Sequence, residues 1–190
     1  MAEHVITKGL DLPIAGAPSS DIVDGAPVTQ VGIVGHDYPT MKPRLHVGVG
    51  DTVKRGQLLF EDRKSEGVRF TSPGAGTVKA VHRGEKRKFL SLVVELNAAE
   101  RSGNTSAEDH ETFEAYNGAP VDALTSEQVR DLLSQSGLWT AIRQRPFERV
   151  PSVTDTCAAI FVTATTSNPL AAPVEKLIAG QEAEFVDGLK

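Results

Sequence analysis

The sequence predicts an α+β protein in which a β-rich region over residues 1–97 is followed by the start of an α/β domain over residues 125–190. Before residue 97, short runs of β-branched and apolar residues are cut by Gly and Pro, as in small antiparallel folds. Residues 98–124 are polar, acidic and Gly/Ser-bearing, which predicts a linker or a long surface excursion. From Thr125 onward the apolar residues take a helical spacing.

The amino-terminal region divides into short strands joined by glycine-containing turns. Residues 8–16 hold too many Gly and Pro residues for a helix, so they predict an extended arm or an edge strand. The pairs Gly50-Asp51 and Arg55-Gly56 lie between alternating apolar residues, which is typical of tight turns. The predicted β-segments, with a turn-rich loop at 35–41 after the first, are Val28–Val34, Leu45–Val53, Leu58–Phe60, Val68–Thr71, Thr77–Val81 and Leu90–Leu96.

A helix is predicted from Thr125. Thr125 and Gln128 have the spacing of a capping box, and Gly137 is a suitable residue to end the helix. Its apolar face is formed by Val129, Leu132 and Leu133.

A buried strand, a polar turn and a second helix are predicted after this helix. Residues 158–164 form the apolar run, 165–169 form the turn, and Val174, Leu177 and Ile178 lie on one side of the helix. This order is half of a βαβ unit, and no second strand follows it. The sequence is therefore expected to be a piece of a longer protein.

Composition excludes several classes of function. Hydrophobic residues make up 39% of the chain and its net charge is −5, so it is a globular protein without a nucleic-acid footprint. The single cysteine, Cys157, adjoins the apolar run and is expected to be a buried, inert thiol. Without a cysteine pair or a signal peptide, the chain is expected in a reducing, cytoplasmic compartment. No apolar run is long enough for a membrane span.

The sequence gives no sign of catalysis or metal binding in this chain. The five histidines are scattered without metal-ligand spacing. No nucleophile elbow, phosphate-binding loop or dinucleotide fingerprint occurs. No catalytic, cofactor-binding or metal-ligating residue is therefore predicted.

Two stretches resemble the barrel-sandwich hybrid of biotinyl and lipoyl carrier domains. They are residues 49–61 and 72–81, where glycines stand at strand corners and alternate apolar residues fill a thin core. The resemblance implies such a domain over about residues 28–97. Lys64 is the candidate for a modified carrier lysine, but it lies farther from Pro73 than carriers place it and is flanked by Arg63 and Ser65. A plain solvated lysine is favoured, and a carrier module is kept as an alternative.

A wider resemblance covers essentially the whole chain. Residues 136–147 (Ser-Gly-Leu-Trp-Thr-Ala-Ile-Arg-Gln-Arg-Pro-Phe), 9–16 and 168–172 resemble, in the same order, the A subunits of bacterial sodium-translocating NADH:quinone oxidoreductases. More than half of that family's usual chain is absent. The resemblance implies a subunit of an NADH:ubiquinone reductase, peripheral on the cytoplasmic face of the bacterial inner membrane and bound to other subunits. It also implies that ubiquinone is the substrate and that FAD, FMN and Fe–S clusters lie in partner subunits.

The same family is similar, more distantly, to the flavin-binding subunits of Rnf complexes and of complex I. In those proteins a Ser-Gly-Leu sequence leads into a glycine-rich loop whose amides bind the flavin phosphate. Here Ser-Gly-Leu is present at 136–138, but the glycines are absent and the stretch holds Trp139, Ile142, Arg143 and Gln144. Residues 164–167 also lack the relatives' acidic side chains. Neither FMN nor NADH is therefore expected to bind, and an Rnf-like flavin subunit is kept as an alternative.

The resemblance implies a quinone nearby, and two stretches offer suitable side chains. A quinone site needs aromatic or Met side chains against the ring and donors for its carbonyl oxygens. Alternatively, Trp139 and Phe147 pack the helix–turn junction, and the arginines pair with Glu148 or with another subunit. The predicted quinone-binding residues are His36, Tyr38 and Met41 in the first stretch and Trp139, Arg143, Arg145 and Phe147 in the second.

Overall fold

Seven short strands in the described part of the chain form two small antiparallel sheets. The computed structural model describes residues 5, 14–16, 19, 21–164, 166 and 168–189. The strands are β1 (Gln30–Val34), β2 (Pro43–Leu45), β3 (Thr52–Val53), β4 (Leu58–Asp62), β5 (Arg69–Thr71), β6 (Gly76–Arg83) and β7 (Phe89–Leu96). One sheet has the order β1-β7-β6-β3 and the other β2-β4-β5.

The two sheets enclose one apolar core, as the alternating sequence pattern predicts. In β6, Val78 is fully buried while its neighbours Thr77 and Lys79 are exposed, which is the period-two pattern of a strand with one buried face. Glycine is needed at Gly76, because a Cβ there would collide with the backbone of Glu95 across the β6–β7 pairing. The buried residues of this core are Val53, Leu59, Phe60, Val68, Phe70, Val78, Phe89, Leu92, Val94, Trp139 and Val150.

Four helices follow the strands in the described residues. They are α1 (Ala98–Ser102), α2 (Ser126–Ser136), α3 (Val174–Leu177) and α4 (Glu182–Asp187). The predicted capping box of α2 is present, since Thr125 accepts from the Gln128 amide and the Gln128 side chain accepts from the Thr125 amide. The helix ends at Gly137 in the left-handed conformation, with φ +79°. None of these helices has the length and apolar character that a bilayer crossing requires.

The chain divides into two compact units, one of residues 26–157 and one of residues 1–25 with 158–190. The first unit contains both sheets, α1, α2 and every residue of the candidate site. The second contains α3 and α4. Most of the arm predicted at residues 8–16 lies outside the described residues.

The buried strand predicted at residues 158–164 is absent from the structure. These residues have no strand pairing, and Ile160, Phe161 and Val162 are exposed by 76%, 89% and 63%. A strand needs a neighbour to accept its backbone hydrogen bonds, and no described segment pairs with this one. The expectation for Cys157 is wrong as well, because its thiol is exposed.

Candidate functional site

The two stretches predicted to form a quinone site meet at Tyr38. Tyr38 follows β1 after a short 3₁₀ turn at Gly35–Asp37, and its half-buried ring packs edge-on against Phe70 with the centroids 4.7 Å apart. From the second stretch, the guanidinium of Arg143 lies 4.5 Å from the centre of the Tyr38 ring. This is within the range of a cation–π interaction. Met41 and Trp139 both pack on the same apolar core.

The other predicted site residues are placed apart from this contact. His36 is exposed in the turn before Tyr38. Arg145 pairs with Glu148 through Nη1 and Oε1 at 3.3 Å, and both side chains are largely exposed. Phe147 is 68% exposed, with the guanidinium of Arg149 5.7 Å from its ring centre. For the arginines of this stretch, pairing with Glu148 is the alternative to quinone binding that the sequence analysis leaves open, and Arg145 forms this pair.

A cleft of about 520 Å³ opens beside Tyr38. Its apolar lining includes Phe70 of β5, Phe113 of the excursion and Leu138 just after α2. The polar groups at the cleft include Arg55, Thr71 and His110. Of the residues predicted as quinone-binding, Tyr38 is the one that lines this cleft.

Tyr38 lines this cleft, and its hydroxyl makes no hydrogen bond to any residue within the described ranges. The neighbouring hydroxyls are already used, since Thr71 Oγ1 donates to the Ser136 carbonyl at 2.8 Å and Thr140 Oγ1 to the Gly137 carbonyl at 2.8 Å. Among the hydroxyl-bearing side chains of the residues that line the cleft, Tyr38 is therefore the one whose hydroxyl has no internal acceptor.

One wall of the cleft is held by a buried carboxylate that sequence reasoning did not identify. The Glu100 side chain is only 2% exposed, forms an ion pair with Arg55, and accepts from the Ala75 amide at 2.7 Å. The hydrogen bond from Arg55 lowers the pKa of Glu100 below its usual value, against the opposing effect of burial.

The excursion is fixed to the barrel at a second point nearby. The Arg55 amide donates to the Asp109 carbonyl and the Glu111 amide donates to the Arg55 carbonyl, both at 2.8 Å. Phe113 and His110 of the excursion are thereby placed in the cleft wall. No local sequence pattern marks either residue, because its position depends on this tertiary pairing.

In the flavin-binding relatives, the segment after Ser-Gly-Leu binds the flavin phosphate. Here the backbone amides of that segment form internal hydrogen bonds, and bulky side chains cover it. Residues 138–141 form a 3₁₀ turn in which the Thr140 amide donates to the Gly137 carbonyl and the Ile142 amide to the Trp139 carbonyl. The Trp139 side chain is buried, and its Nε1 donates to the Pro151 carbonyl at 2.9 Å.

The presence of glycine at position 137 is explained by packing, without a bound flavin. A Cβ at Gly137 would press against the Thr71 side chain, whose Cγ2 would be 3.0 Å away. The glycine therefore lets the end of α2 pack directly on β5.

Lys64 lies at the tip of the β4–β5 hairpin, which is the position that carriers use, and it is exposed. The base of this turn is bound by another segment of the chain. The Glu66 amide donates to Ser152 Oγ at 3.0 Å, and Ser134 Oγ donates to the Gly67 carbonyl at 2.7 Å. These contacts restrain the turn that bears Lys64.

No metal centre is formed by the residues that the structure describes. Among them, no group of three or more His, Cys, Asp or Glu side chains is arranged to hold an ion.

Comparison with known proteins places both halves of the chain in one family. The model of the NqrA N-terminal barrel-sandwich hybrid domain matches residues 4–97, and that of the NqrA second alpha/beta domain matches residues 124–190. Both parts of the fold class predicted from the sequence are thereby confirmed.

Three individual relatives are each named as the A subunit of the Na(+)-translocating NADH-quinone reductase. The relative from Vibrio vulnificus (strain YJ016) is 47% identical over 184 residues, which are 97% of this chain and 39% of the relative. The one from Hahella chejuensis (strain KCTC 2396) is 48% identical with the same coverage. That of Actinobacillus succinogenes is 48% identical over 97% of this chain and 40% of the relative. The chain spans about two fifths of the length of these curated relatives, and it belongs to the NqrA family, of which it contains the N-terminal barrel-sandwich hybrid domain and the second α/β domain.

Proposed function

We propose that this chain is part of a cofactor-free, peripheral subunit of a Na⁺-translocating NADH:quinone reductase on the cytoplasmic face of the bacterial inner membrane. The name of its relatives supports this assignment. In the proposal its partners are the other subunits of the complex, which hold FAD, FMN and Fe–S clusters, and ubiquinone is the substrate of the assembly. This chain supports quinone reduction and does not catalyse it alone.

The observation that carries the quinone part of the proposal is that Tyr38, whose hydroxyl has no internal partner, lines an apolar cleft of about 520 Å³. A volume of this size is suited to a small ring ligand. Phe70 and Phe113 supply aromatic surface, while Tyr38 and His110 supply groups for the carbonyl oxygens. His36, Met41, Trp139, Arg143, Arg145 and Phe147 do not line the cleft, so we assign them supporting positions around it.

The absence of a flavin from this subunit is also proposed. Two amides of residues 138–142 are used within the turn, and Trp139 fills the space beneath it. To bind a phosphate, these amides would have to lack internal hydrogen bonds, and no bulky side chain could cover the backbone. The carrier alternative is not favoured, because the turn that bears Lys64 is fixed by Ser134 and Ser152.

Membership of the complex can be tested by purification from native bacterial membranes. The proposal expects the subunit that contains this sequence to co-purify with an integral-membrane, flavin-bearing complex. Recovery as a free monomer would contradict it.

Quinone binding can be tested separately by calorimetric titration of the chain with a short-chain ubiquinone analogue. Tyr38→Phe keeps the ring but removes the hydroxyl, and is expected to weaken binding by roughly three- to tenfold. His82→Gln is the matched control, because His82 is exposed on β6 and does not line the cleft. A wild-type chain that fails to bind the analogue, or equal binding by Tyr38→Phe, would contradict the quinone site.

A further inference from the structure

The turn between β6 and β7 carries a concentrated positive charge. It runs through Arg83-Gly-Glu-Lys-Arg-Lys88 and has four basic side chains against one carboxylate, while the whole chain has a net charge of −5. Arg83, Lys86, Arg87 and Lys88 are all exposed. We call residues 83–88 the basic turn.

The backbone of the basic turn is held in one conformation. The Gly84 amide donates to the Lys88 carbonyl at 2.8 Å and the Arg87 amide to the Gly84 carbonyl at 3.1 Å. Arg83 Nη1 reaches across to the Arg87 carbonyl at 3.3 Å. Lys86 and Arg87 adopt left-handed φ angles of 52° and 61°, which tighten the turn. The charges are therefore presented from a closed hairpin end, with little backbone entropy left to lose on binding.

The cations of the basic turn have no carboxylate partner in the described part of the chain. Some other exposed cations of the same unit are neutralised, as Lys79 is by Glu95 and Arg145 by Glu148. The charge of the turn is thus left for an external anion.

We propose that the basic turn binds an anionic membrane surface, with phospholipid headgroups as its ligand. Clusters of Lys and Arg are attracted to such surfaces, and each residue contributes about a fivefold gain in partitioning. Leu90, which is 44% exposed, lies beside the turn and adds apolar contact at the headgroup level.

An acidic protein partner fits the basic turn less well. Charged residues are depleted and aromatic residues are enriched at the core of protein–protein interfaces. Residues 83–88 include five charged residues and no aromatic residue. A diffuse anionic surface matches freely exposed ammonium groups better than a shaped protein pocket does.

This inference does not use the quinone cleft, and it rests on the proposed function only for the membrane location. Vesicle binding measures the turn directly, whereas co-purification measures membership of the complex. Either can fail while the other holds, so the two failures are distinguishable.

The test is sedimentation of the chain with vesicles of phosphatidylcholine alone or of phosphatidylcholine mixed with phosphatidylglycerol. The wild-type chain is expected to sediment with the phosphatidylglycerol vesicles at low salt, to be released from them by high salt, and not to sediment with phosphatidylcholine alone. The double substitution Lys86→Gln/Lys88→Gln is expected to lower the partition coefficient roughly 30-fold. Thermal melts establish that the variants are folded.

The matched control is Arg63→Gln/Lys64→Gln at the β4–β5 hairpin tip. It removes the same charge from a turn of the same barrel, but from one flanked by Glu61, Asp62 and Glu66. It is expected to leave the partition coefficient almost unchanged. Equal losses of partition coefficient in the two double variants would show an effect of net charge alone and overturn the proposal. Wild-type protein that does not sediment with phosphatidylglycerol vesicles would overturn it as well. Binding of the turn to the assembled complex, but never to vesicles, would assign it to a protein partner and also overturn the proposal.

Discussion

The guanidinium of Arg143 lies over the ring of Tyr38, 4.5 Å from its centre, and joins two loops that are far apart in the sequence. Tyr38 also packs edge-on against Phe70, which stacks in turn on Phe60 with the centroids 4.6 Å apart. A surface cation, a phenol and two core rings therefore form one continuous contact. We infer that this contact fixes the orientation of the Tyr38 ring beside the cleft.

A double-mutant cycle measures the Arg143–Tyr38 contact. Arg143→Gln and Tyr38→Leu, made singly and together, are expected to show a coupling of about 0.5–1 kcal/mol in the free energy of unfolding. Urea unfolding can be followed by the fluorescence of Trp139, the single tryptophan of the chain. The control cycle replaces Arg143→Gln by Arg145→Gln, because Arg145 pairs with Glu148 instead. Equal coupling in the two cycles would show that the Arg143 contact is not specific.

The Glu100 carboxylate makes part of the stability depend on pH. Its hydrogen bond with Arg55 lowers its pKa below the ordinary value of 4.5, while burial opposes the shift. A group with a lowered pKa in the folded state contributes stability that is complete above the unfolded pKa and is lost as pH falls through the folded pKa. Asp109 acts in the same direction, since the Ser106 amide and the Asn97 side chain lower its pKa. The urea midpoint is therefore expected to fall as pH decreases below about 4.5.

The variant Glu100→Gln isolates this contribution. At neutral pH it is expected to lower the free energy of unfolding by about 1–3 kcal/mol, because the Arg55 guanidinium loses a charged acceptor. The difference from wild type should shrink in acid, where Glu100 itself becomes protonated. Glu95→Gln is the control, since Glu95 and Lys79 are both about half exposed and their pair is worth less than about 1 kcal/mol. A difference that stays constant from neutral pH into acid would contradict the assignment.

Local patterns are sufficient to predict most of the barrel strands and the ends of α2, although the predicted segment Leu45–Val53 is divided between β2 and β3. The alternation around Val78 and the pairing of Thr125 with Gln128 involve residues close together in sequence, and both are present in the structure. The prediction of a strand at 158–164 rests on apolar content alone. Such a run becomes a strand only when a neighbour completes its hydrogen bonds, which no local pattern can reveal.

The candidate site can be predicted only in part for the same reason. Tyr38 and Arg143 are candidates because of their chemistry, but nothing in either stretch indicates that they touch. Phe113 and His110 escape prediction as cleft residues, because the Arg55 backbone pairing and the Glu100 ion pair place them. Those contacts join distant segments. The burial of Trp139 can be expected from its size. The sequence does not indicate that its indole N–H donates to the Pro151 carbonyl.

The packing role of Gly137 can be tested by comparison with Gly103, which also ends a helix. Gly137→Ala is expected to lower the free energy of unfolding by about 2–4 kcal/mol, since it combines a left-handed φ of +79° with contact against Thr71. Gly103→Ala, at φ +71° in open space, should cost only the backbone part, about 1 kcal/mol. Urea unfolding of both variants measures the difference. Equal losses would mean that the α2–β5 packing tolerates a methyl group and that the glycine serves the helix end alone.

The exposed thiol of Cys157 predicts a simple chemical result. Because the thiolate is the reactive species and exposure controls its access, a disulfide reagent should modify folded protein almost as fast as protein unfolded in urea. One equivalent should react, as the chain has one cysteine, and Cys157→Ser should not react at all. The measurement is the rate of thiolate release at neutral pH with and without urea. Strong protection in the folded state, relieved by urea, would mean that the residues around position 157 are packed, as the apolar run alone predicts.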